Sequence, residues 1–340
     1  MAYTPLFTIT PSLLARVEDI AILRERVLTA TIGLTWIPAL QKDSRSRNVH
    51  ASTAIEGNPL TLEEVRALEG GSKTAIAGGR PQREIVNYFA GLRYIGKNAK
   101  KSKIGHAEVL KLHRILAGGV MDQGEAGKYR SIQVRISRYL PPPPQEVSGL
   151  MFELLEWWNQ ESLKLSPVLS SAILHYRFES IHPFADGNGR TGRALALWEL
   201  YRRGFDTYHI FSVDEYYWED RPRYYTALEE VRKEADDLTK WLEYCAEGLQ
   251  KTLERVWLRI QTFNQKLPQK LVLHPKQERL LTLLKDRGSM SPSEIWKALS
   301  ISKQYAASLL RPLLRIGLVE KRGTRKSGRY VLKDLPERMF

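Results

Sequence analysis

Apolar residues recur at helical spacing along most of this chain. Over 13–30, Leu14, Val17, Ile20, Ala21, Val27 and Leu28 share one side of a 3.6-residue repeat, which predicts a helix. A second helix is predicted over roughly 39–55, after Pro38. Gly57-Asn58-Pro59 ends it, because glycine and a residue before proline both oppose helix continuation. Thr61-Leu62-Glu63-Glu64 reads as a capping box opening the next helix, with Thr61 as N-cap and Glu64 at the third position. The same periodicity returns over 84–95, 106–116, 147–158, 168–178, 224–231 and 238–258. No internal repeat is present.

Two stretches depart from that period. Ile132, Val134 and Ile136 alternate with Gln133, Arg135 and Ser137, the pattern of a half-buried strand, and Pro141-Pro142-Pro143-Pro144 behind them is extended. The other departure follows Leu267-Pro268, which reads as a linker. Helices are predicted over 276–285, from the cap Ser291-Pro292, and over 302–314. Two short strands, 318–322 and 328–332, then flank a basic turn containing glycine. Three helices followed by a two-stranded wing resemble a winged helix-turn-helix module. The expected fold is predominantly α, with a short β-hairpin flap in the main domain and this winged module behind it.

Composition narrows the setting. The chain has 340 residues and is 43% hydrophobic, enough for two or three packed domains. No apolar run approaches the ~20 residues that span a bilayer, and Met1-Ala2-Tyr3-Thr4-Pro5 opens no secretion signal. A membrane partner is therefore not expected. The single cysteine, Cys245, permits no intrachain disulfide and reads as a small buried hydrophobe on a helix. Both observations lead to a cytoplasmic expectation. Charge is uneven: from Lys270 onward stand 16 Lys and Arg against 6 Asp and Glu, so +10 of the net +14 lies in that module. Such a surface suits nucleic acid. Lys303, Gln304 and Ser308 on the third helix, and Lys321, Arg322, Arg325, Lys326 and Arg329 on the wing, are the candidate DNA contacts. Protein docking is the competing use.

The candidate chemistry is concentrated in His182-Pro183-Phe184-Ala185-Asp186-Gly187-Asn188-Gly189-Arg190-Thr191-Gly192-Arg193. His182 is a natural general base near neutral pH. Asp186 offers oxygen ligands to Mg²⁺, which takes one or two carboxylates together with substrate phosphates. Gly187, Asn188 and Gly189 can form an anion-binding nest of successive N–H groups at a helix start. Arg190 and Arg193 can clamp phosphate oxygens. Phe184 reads as an apolar anchor for the loop. Taken singly, each residue also suits an ordinary helix start; together they point to chemistry on a nucleotide.

This run resembles the signature of Fic-domain proteins, His-x-Phe-x-(Asp/Glu)-Gly-Asn-Gly-Arg-x-x-Arg, at every defined position. The resemblance extends over roughly 40–245. It implies transfer of AMP from ATP to a Ser, Thr or Tyr hydroxyl of a target protein, with His182 as base and Asp186 holding Mg²⁺. It implies a nucleotide site formed by Gly187, Asn188, Gly189, Arg190, Thr191, Gly192 and Arg193, with Tyr224 and Tyr225 beside the base. Ile132, Gln133, Val134, Arg135 and Ile136 would be the flap that positions the target. Ser52-Thr53-Ala54-Ile55-Glu56-Gly57 is similar to the family's inhibitory motif, (Ser/Thr)-x-x-x-Glu-(Gly/Asn). That similarity implies that Glu56 pairs with Arg193 and blocks the productive pose of ATP; in some relatives such a glutamate supports AMP removal instead.

The domains that follow are 1–105, a helical region with the inhibitory helix at about 39–57; 106–250, the catalytic core; 251–269, a helix end and linker; and 270–340, the winged module. The expected function is an autoinhibited protein adenylyltransferase acting on another protein or itself. Its alternatives are a DNA-binding regulator with a nucleotide-sensing Fic domain and a de-adenylylating enzyme. A homodimer is a family-level expectation.

Overall fold

A computed structural model of the chain describes residues 3–30, 37–69, 79–206, 208–266, 275–315, 318–323 and 328–333. Contacts divide it into two compact units, one over 1–30 and 39–260, the other over 31–38 and 261–340. The larger unit carries α1 (Pro11–Thr29), α2 (Ile37–Ile55), α3 (Leu62–Glu69), α4 (Arg80–Asn98), α5 (His106–Ala117), α6 (Pro144–Asn159), α7 (Pro167–Ile181), α8 (Asn188–Arg202), α9 (Asp214–Glu219), α10 (Arg221–Lys233) and most of α11 (Thr239–Lys266). Among the described residues no helix is long and apolar enough to cross a membrane.

Several helices start earlier than apolar spacing alone indicates. Pro81, Pro144 and Pro167 sit in the first turns of α4, α6 and α7, where a missing N–H costs nothing and the fixed φ already suits a helix. The predicted capping box is present: Glu64 accepts from the Thr61 N–H at 2.8 Å and Thr61 Oγ1 accepts from the Glu64 N–H at 3.3 Å. Helix α9 has too few residues to show a period and was not expected.

The core of this unit is α7 against α8. Both are buried on nearly every side, so they lack a polar face, and their buried polar groups are answered internally. Glu199, fully buried, accepts from Trp158 Nε1 and Ser170 Oγ, each at 2.7 Å. Gly192 lets the two helices approach: a Cβ there would meet Glu179 Oε1 at 2.5 Å. Cys245 is buried on α11, its thiol pushed up by desolvation, in keeping with a packing role.

The strand expected near 129–139 reduces to one antiparallel bridge, Ile136 with Tyr139, around a two-residue turn. The reason is chemical. The returning arm runs into Pro141, Pro142 and Pro143, which have no N–H to donate to a ladder. Side chains serve the arms instead: Arg130 Nη1 donates to Ile132 O at 3.1 Å and Gln133 Nε2 to Pro141 O at 2.8 Å.

The smaller unit contains α12 (Pro275–Arg287), α13 (Pro292–Ala298), α14 (Lys303–Arg315), β1 (Val319–Arg322) and β2 (Arg329–Leu332). The strands pair antiparallel, with Val319 opposite Leu332 and Arg322 opposite Arg329. Leu280, Leu284, Met290, Ile295, Leu309, Leu310, Leu313 and Val319 form its separate core. Ser291 caps α13 in a box with Glu294. This is the winged helix-turn-helix read from the sequence; the linker 267–269 lies outside the described residues.

Candidate active site

The site is built on the loop between α7 and α8. Helix α7 stops because His182 adopts a left-handed conformation (φ 49°, ψ 60°) immediately before Pro183. Left-handed backbone at a residue other than glycine is strained and needs support from its surroundings. Asn188 provides some, since its Oδ1 accepts from the Phe184 N–H at 2.9 Å and its Nδ2 donates to Phe184 O at 2.8 Å. The Asn188 side chain is thus spent on the loop and leaves only its backbone for an anion. Phe184 is fully buried and stacks on His113 with ring centroids 3.6 Å apart. Gly127 N–H donates to His113 Nδ1 at 2.8 Å, so Nε2 is the protonated nitrogen and donates to Asp186 O at 2.9 Å.

Helix α8 opens at Asn188, earlier than its apolar pattern indicates, so both motif arginines lie on it. Its first closed turn is the Thr191 N–H to Gly187 O bond at 3.1 Å. The N–H groups of Asn188, Gly189 and Arg190 therefore have no intrahelical acceptor and face the loop with the positive end of the helix dipole. Gly187 turns the chain into the helix at φ 78°. Thr191 is buried and returns its hydroxyl to Gly187 O at 2.8 Å, and Gly192 faces Glu179 across α7. Those two positions shape the helix start rather than face an anion.

The two arginines differ. Arg190 is 4% exposed, yet its Nε and Nη1 have no hydrogen-bond partner; Glu84 Oε1 stands 3.6 Å from Nη1 and Asp186 Oδ1 3.9 Å from Nη2. Buried donors left open beside an uncapped helix start suit an anion. Arg193 is satisfied. Its Nε donates to Ser52 Oγ at 2.8 Å, and its Nη2 donates to Ser52 O at 2.8 Å and to Glu56 Oε1 at 2.7 Å. Asp214 Oδ2 lies 4.0 Å from Nε. Glu56 reaches in over Gly189, where a Cβ would sit 2.2 Å from Glu56 Oε1.

The His182 side chain is largely buried, and its Nδ1 faces Glu179 Oε2 at 3.6 Å. Arg130, buried, donates from Nε to His182 O at 2.8 Å, and also donates to Pro142 O, so it ties the flap to the end of α7. On that flap Ile132, Gln133 and Arg135 are exposed while Val134 and Ile136 are half-buried. Tyr224 is 1% exposed within a cluster including His175, Tyr217 and Trp241, and its hydroxyl pairs with His175 Nε2 at 3.1 Å. Only Tyr225 retains open ring surface, and its hydroxyl reaches Ile55 O at 3.4 Å. Tyr224 is thus closed off as a platform for a base.

Sequence reasoning passed over His113, Arg130, Glu179 and Asp214. All four lie in ordinary helical or loop context, and only tertiary proximity marks them. For a metal, Asp186 is the one motif carboxylate. Its Oδ1 accepts from the Gly187 N–H at 2.6 Å, and no group of three His, Cys, Asp or Glu among the described residues could hold an ion. Such a donor set fits Mg²⁺ that arrives with phosphates, not an ion caged by protein alone.

In the winged unit Lys303, Gln304 and Ser308 are exposed on α14, with Lys303 Nζ 5.8 Å from the Trp296 ring centre. Arg329 is engaged: it donates to Ser289 Oγ at 2.9 Å and Glu294 Oε2 at 2.9 Å. Arg322 pairs with Glu320, and Lys321 is exposed. Arg325 and Lys326 lie outside the described residues.

Residues 103–200 match the Fic/DOC family and residues 273–331 the MarR family. The protein adenylyltransferase fic-1 of Caenorhabditis elegans is 33% identical over 226 residues, covering 65% of this chain and 43% of its own length. The protein adenylyltransferase Fic of Drosophila willistoni is 32% identical over 218 residues, covering 63% and 42%. The chain thus spans less than half the length of these curated relatives. A crystal structure of a Fic family protein from Desulfovibrio desulfuricans G20 superposes with a TM-score of 0.67 at 27% identity, over 99% of this chain and 100% of that one. A structure of Fic-1 from C. elegans gives 0.63 at 26% identity, over 74% and 73%.

The buried imidazoles give the unit an acid limit. Burial pushes His113 and His175 down to about 4. In the unfolded chain both titrate near 6.5, so the unfolded state takes up protons first as pH falls. Stability present above pH ~6.5 is lost progressively toward pH ~4, by roughly 3 kcal/mol for each group at most. Denaturant unfolding measured from pH 7.5 to about 4.5 should show this decline. His113→Gln should flatten it, and an unchanged slope would remove His113 from the account.

Proposed function

We propose, from the premise that this chain carries a Fic domain, that it transfers AMP from ATP to a hydroxyl side chain of a target protein, or of itself, under restraint by Glu56. One observation carries the reading: the buried Arg190 guanidinium, with open donors, lies beside three unpaired N–H groups and the carboxylate of Asp186. That arrangement suits a polyphosphate, and group transfer at phosphorus depends mainly on positioning and charge neutralisation.

In this scheme His182 takes the proton of the target hydroxyl. The hydroxyl oxygen attacks the α-phosphorus, and pyrophosphate leaves. The N–H groups of Asn188, Gly189 and Arg190 hold phosphate oxygens, and the Arg190 side chain neutralises charge on the β-phosphate. Asp186 would hold Mg²⁺, which when bound offsets negative charge shared between the phosphates. The flap tied down by Arg130 places the target segment near His182, with Ile132 and its neighbours as the surface it meets. Tyr225 borders the base.

The Glu56 contact supplies the restraint. In this scheme Arg193 takes the γ-phosphate, and Glu56 occupies its Nη2. Removing Glu56 would leave Arg193 its two bonds to Ser52 and the nearby Asp214, so the buried charge would stay compensated. The restraint is therefore separable from stability. A second reading, favoured by the 35% side-chain exposure of Glu56, has this carboxylate orient water for removal of AMP. For the winged module we propose DNA contact through exposed Lys303, Gln304 and Ser308, supported by the MarR match and the +10 charge.

Incubation with Mg²⁺ and ATP labelled at the α-phosphate should label protein, and His182→Ala should reduce this by the ~10²–10⁴-fold of a lost general base. Undiminished labelling would take His182 out of the scheme. Glu56→Gly should raise labelling by ~5–150-fold, the usual span of a coupling between sites, with little change in melting temperature. Equal labelling from folded protein would refute the restraint. In a gel-shift with the whole chain, duplex DNA should be retained in a salt-sensitive manner, and Lys303→Ala should reduce the log–log salt slope by about 1. Retention indifferent to salt, or none, would assign the module to protein docking.

A further inference from the structure

We propose that Glu179 is the positioning residue for His182: its carboxylate holds the imidazole with the proton on Nδ1, so that Nε2 presents its lone pair to the target hydroxyl. The inference deepens the AMP-transfer reading and rests on it for its kinetic consequence. Glu179 lies three residues before His182, in the last turn of α7, and His182 caps that helix. Its Oε2 stands 3.6 Å from His182 Nδ1, longer than a hydrogen bond and within reach of a small ring rotation; catalytic bonds are often long before substrate is present. His182 Nδ1 is buried and has no hydrogen-bond partner, and Glu179 Oε2 is the carboxylate oxygen that faces it. The remaining candidate imidazole, His175, already pairs its Nε2 with Tyr224.

Packing holds the carboxylate where it is. Glu179 is 6% exposed, and its Oε1 occupies the space a side chain at 192 would need, 2.5 Å from the position of a Cβ. Gly192 is in effect the seat of Glu179. Burial would raise the Glu179 pKa, but its interaction with the His182 side chain and the charge of Arg193 hold it below the ordinary range, so it stays ionised. An ionised carboxylate at Nδ1 selects one tautomer and then faces the imidazolium formed in the reaction. The hydroxyl proton passes to Nε2, the oxygen bonds to the α-phosphorus, and the bond to the bridging oxygen breaks with its electron pair leaving on pyrophosphate. Glu179 itself transfers no proton.

The test uses the whole chain. In protein with ¹⁵N-labelled histidine, NMR should show His182 with Nδ1 protonated and Nε2 unprotonated, the signals being assigned by their loss in His182→Ala. In the Glu56→Gly background, Glu179→Gln should lower kcat for labelling by ~10²-fold or more, while KM for ATP and the melting temperature stay within experimental scatter of the parent. Glu179→Asp should recover part of the loss. A wild-type His182 protonated on Nε2, or a Glu179→Gln enzyme with undiminished kcat, would overturn the proposal. If the Glu56→Gly protein itself labels nothing, the transfer reading fails, and the tautomer alone decides whether Glu179 holds His182.

Discussion

A guanidinium can be taken out of water only if its charge is answered, and the answer to Arg193 organises the site. Arg193 is 2% exposed. Its charge is met by Ser52 on α2, by Glu56 just past the end of α2 and by Asp214 on α9, so two elements distant in sequence must converge on α8. The convergence depends on glycine in two ways. Gly189 leaves room for the Glu56 carboxylate, and Gly57, at φ 94°, ends α2 one residue past it. The far side of α2 is held by ion pairs of partly buried side chains, Asp43 with Arg47 and Arg66, and Arg47 with Glu215. Burial and mutual support give this network more weight than isolated surface pairs carry.

The asymmetry between Arg190 and Arg193 follows from position on one helix. Arg190 sits in the first turn of α8, where backbone N–H groups are also open, so anion affinity collects there. Arg193 lies one turn further on, under the end of α2, and its Nε and Nη2 are already hydrogen-bonded. One cation waits for an anion while its neighbour already holds an internal one. In the proposed scheme, exchange of Glu56 for a phosphate at Arg193 needs no large movement, because Arg193 keeps its bonds to Ser52 when Nη2 is released.

Loop geometry makes His182 and the open start of α8 a single object. His182 and Gly187, both left-handed, bracket a turn pinned inside by Asn188 and from beneath by the stacked pair His113 and Phe184. Arg130 fastens the flap to the same turn through His182 O. A shift at the buried end of α7 would thus reach His182, the 130–142 segment and the start of α8 together. This is why polar groups with no contact to a nucleotide matter to the arrangement.

Local periodicity and capping chemistry made the helices, the winged module and the nucleotide motif readable from the sequence, because each depends on residues within a turn or two of one another. The same locality misled at 129–139, where alternation suggested a strand. The opposing arm, Pro141 to Pro143, cannot donate to one. Tyr224 shows the limit differently: its neighbours in space, His175 and Trp241, decide that it is closed in a core. The Glu56–Arg193 contact was legible only through resemblance; its distance, and the open state of Arg190, belong to the folded chain. Glu179, Arg130 and His113 had no signal at all in the sequence. Side-chain identity is written residue by residue, whereas desolvation and charge pairing depend on which distant segments meet, and only tertiary structure decides that.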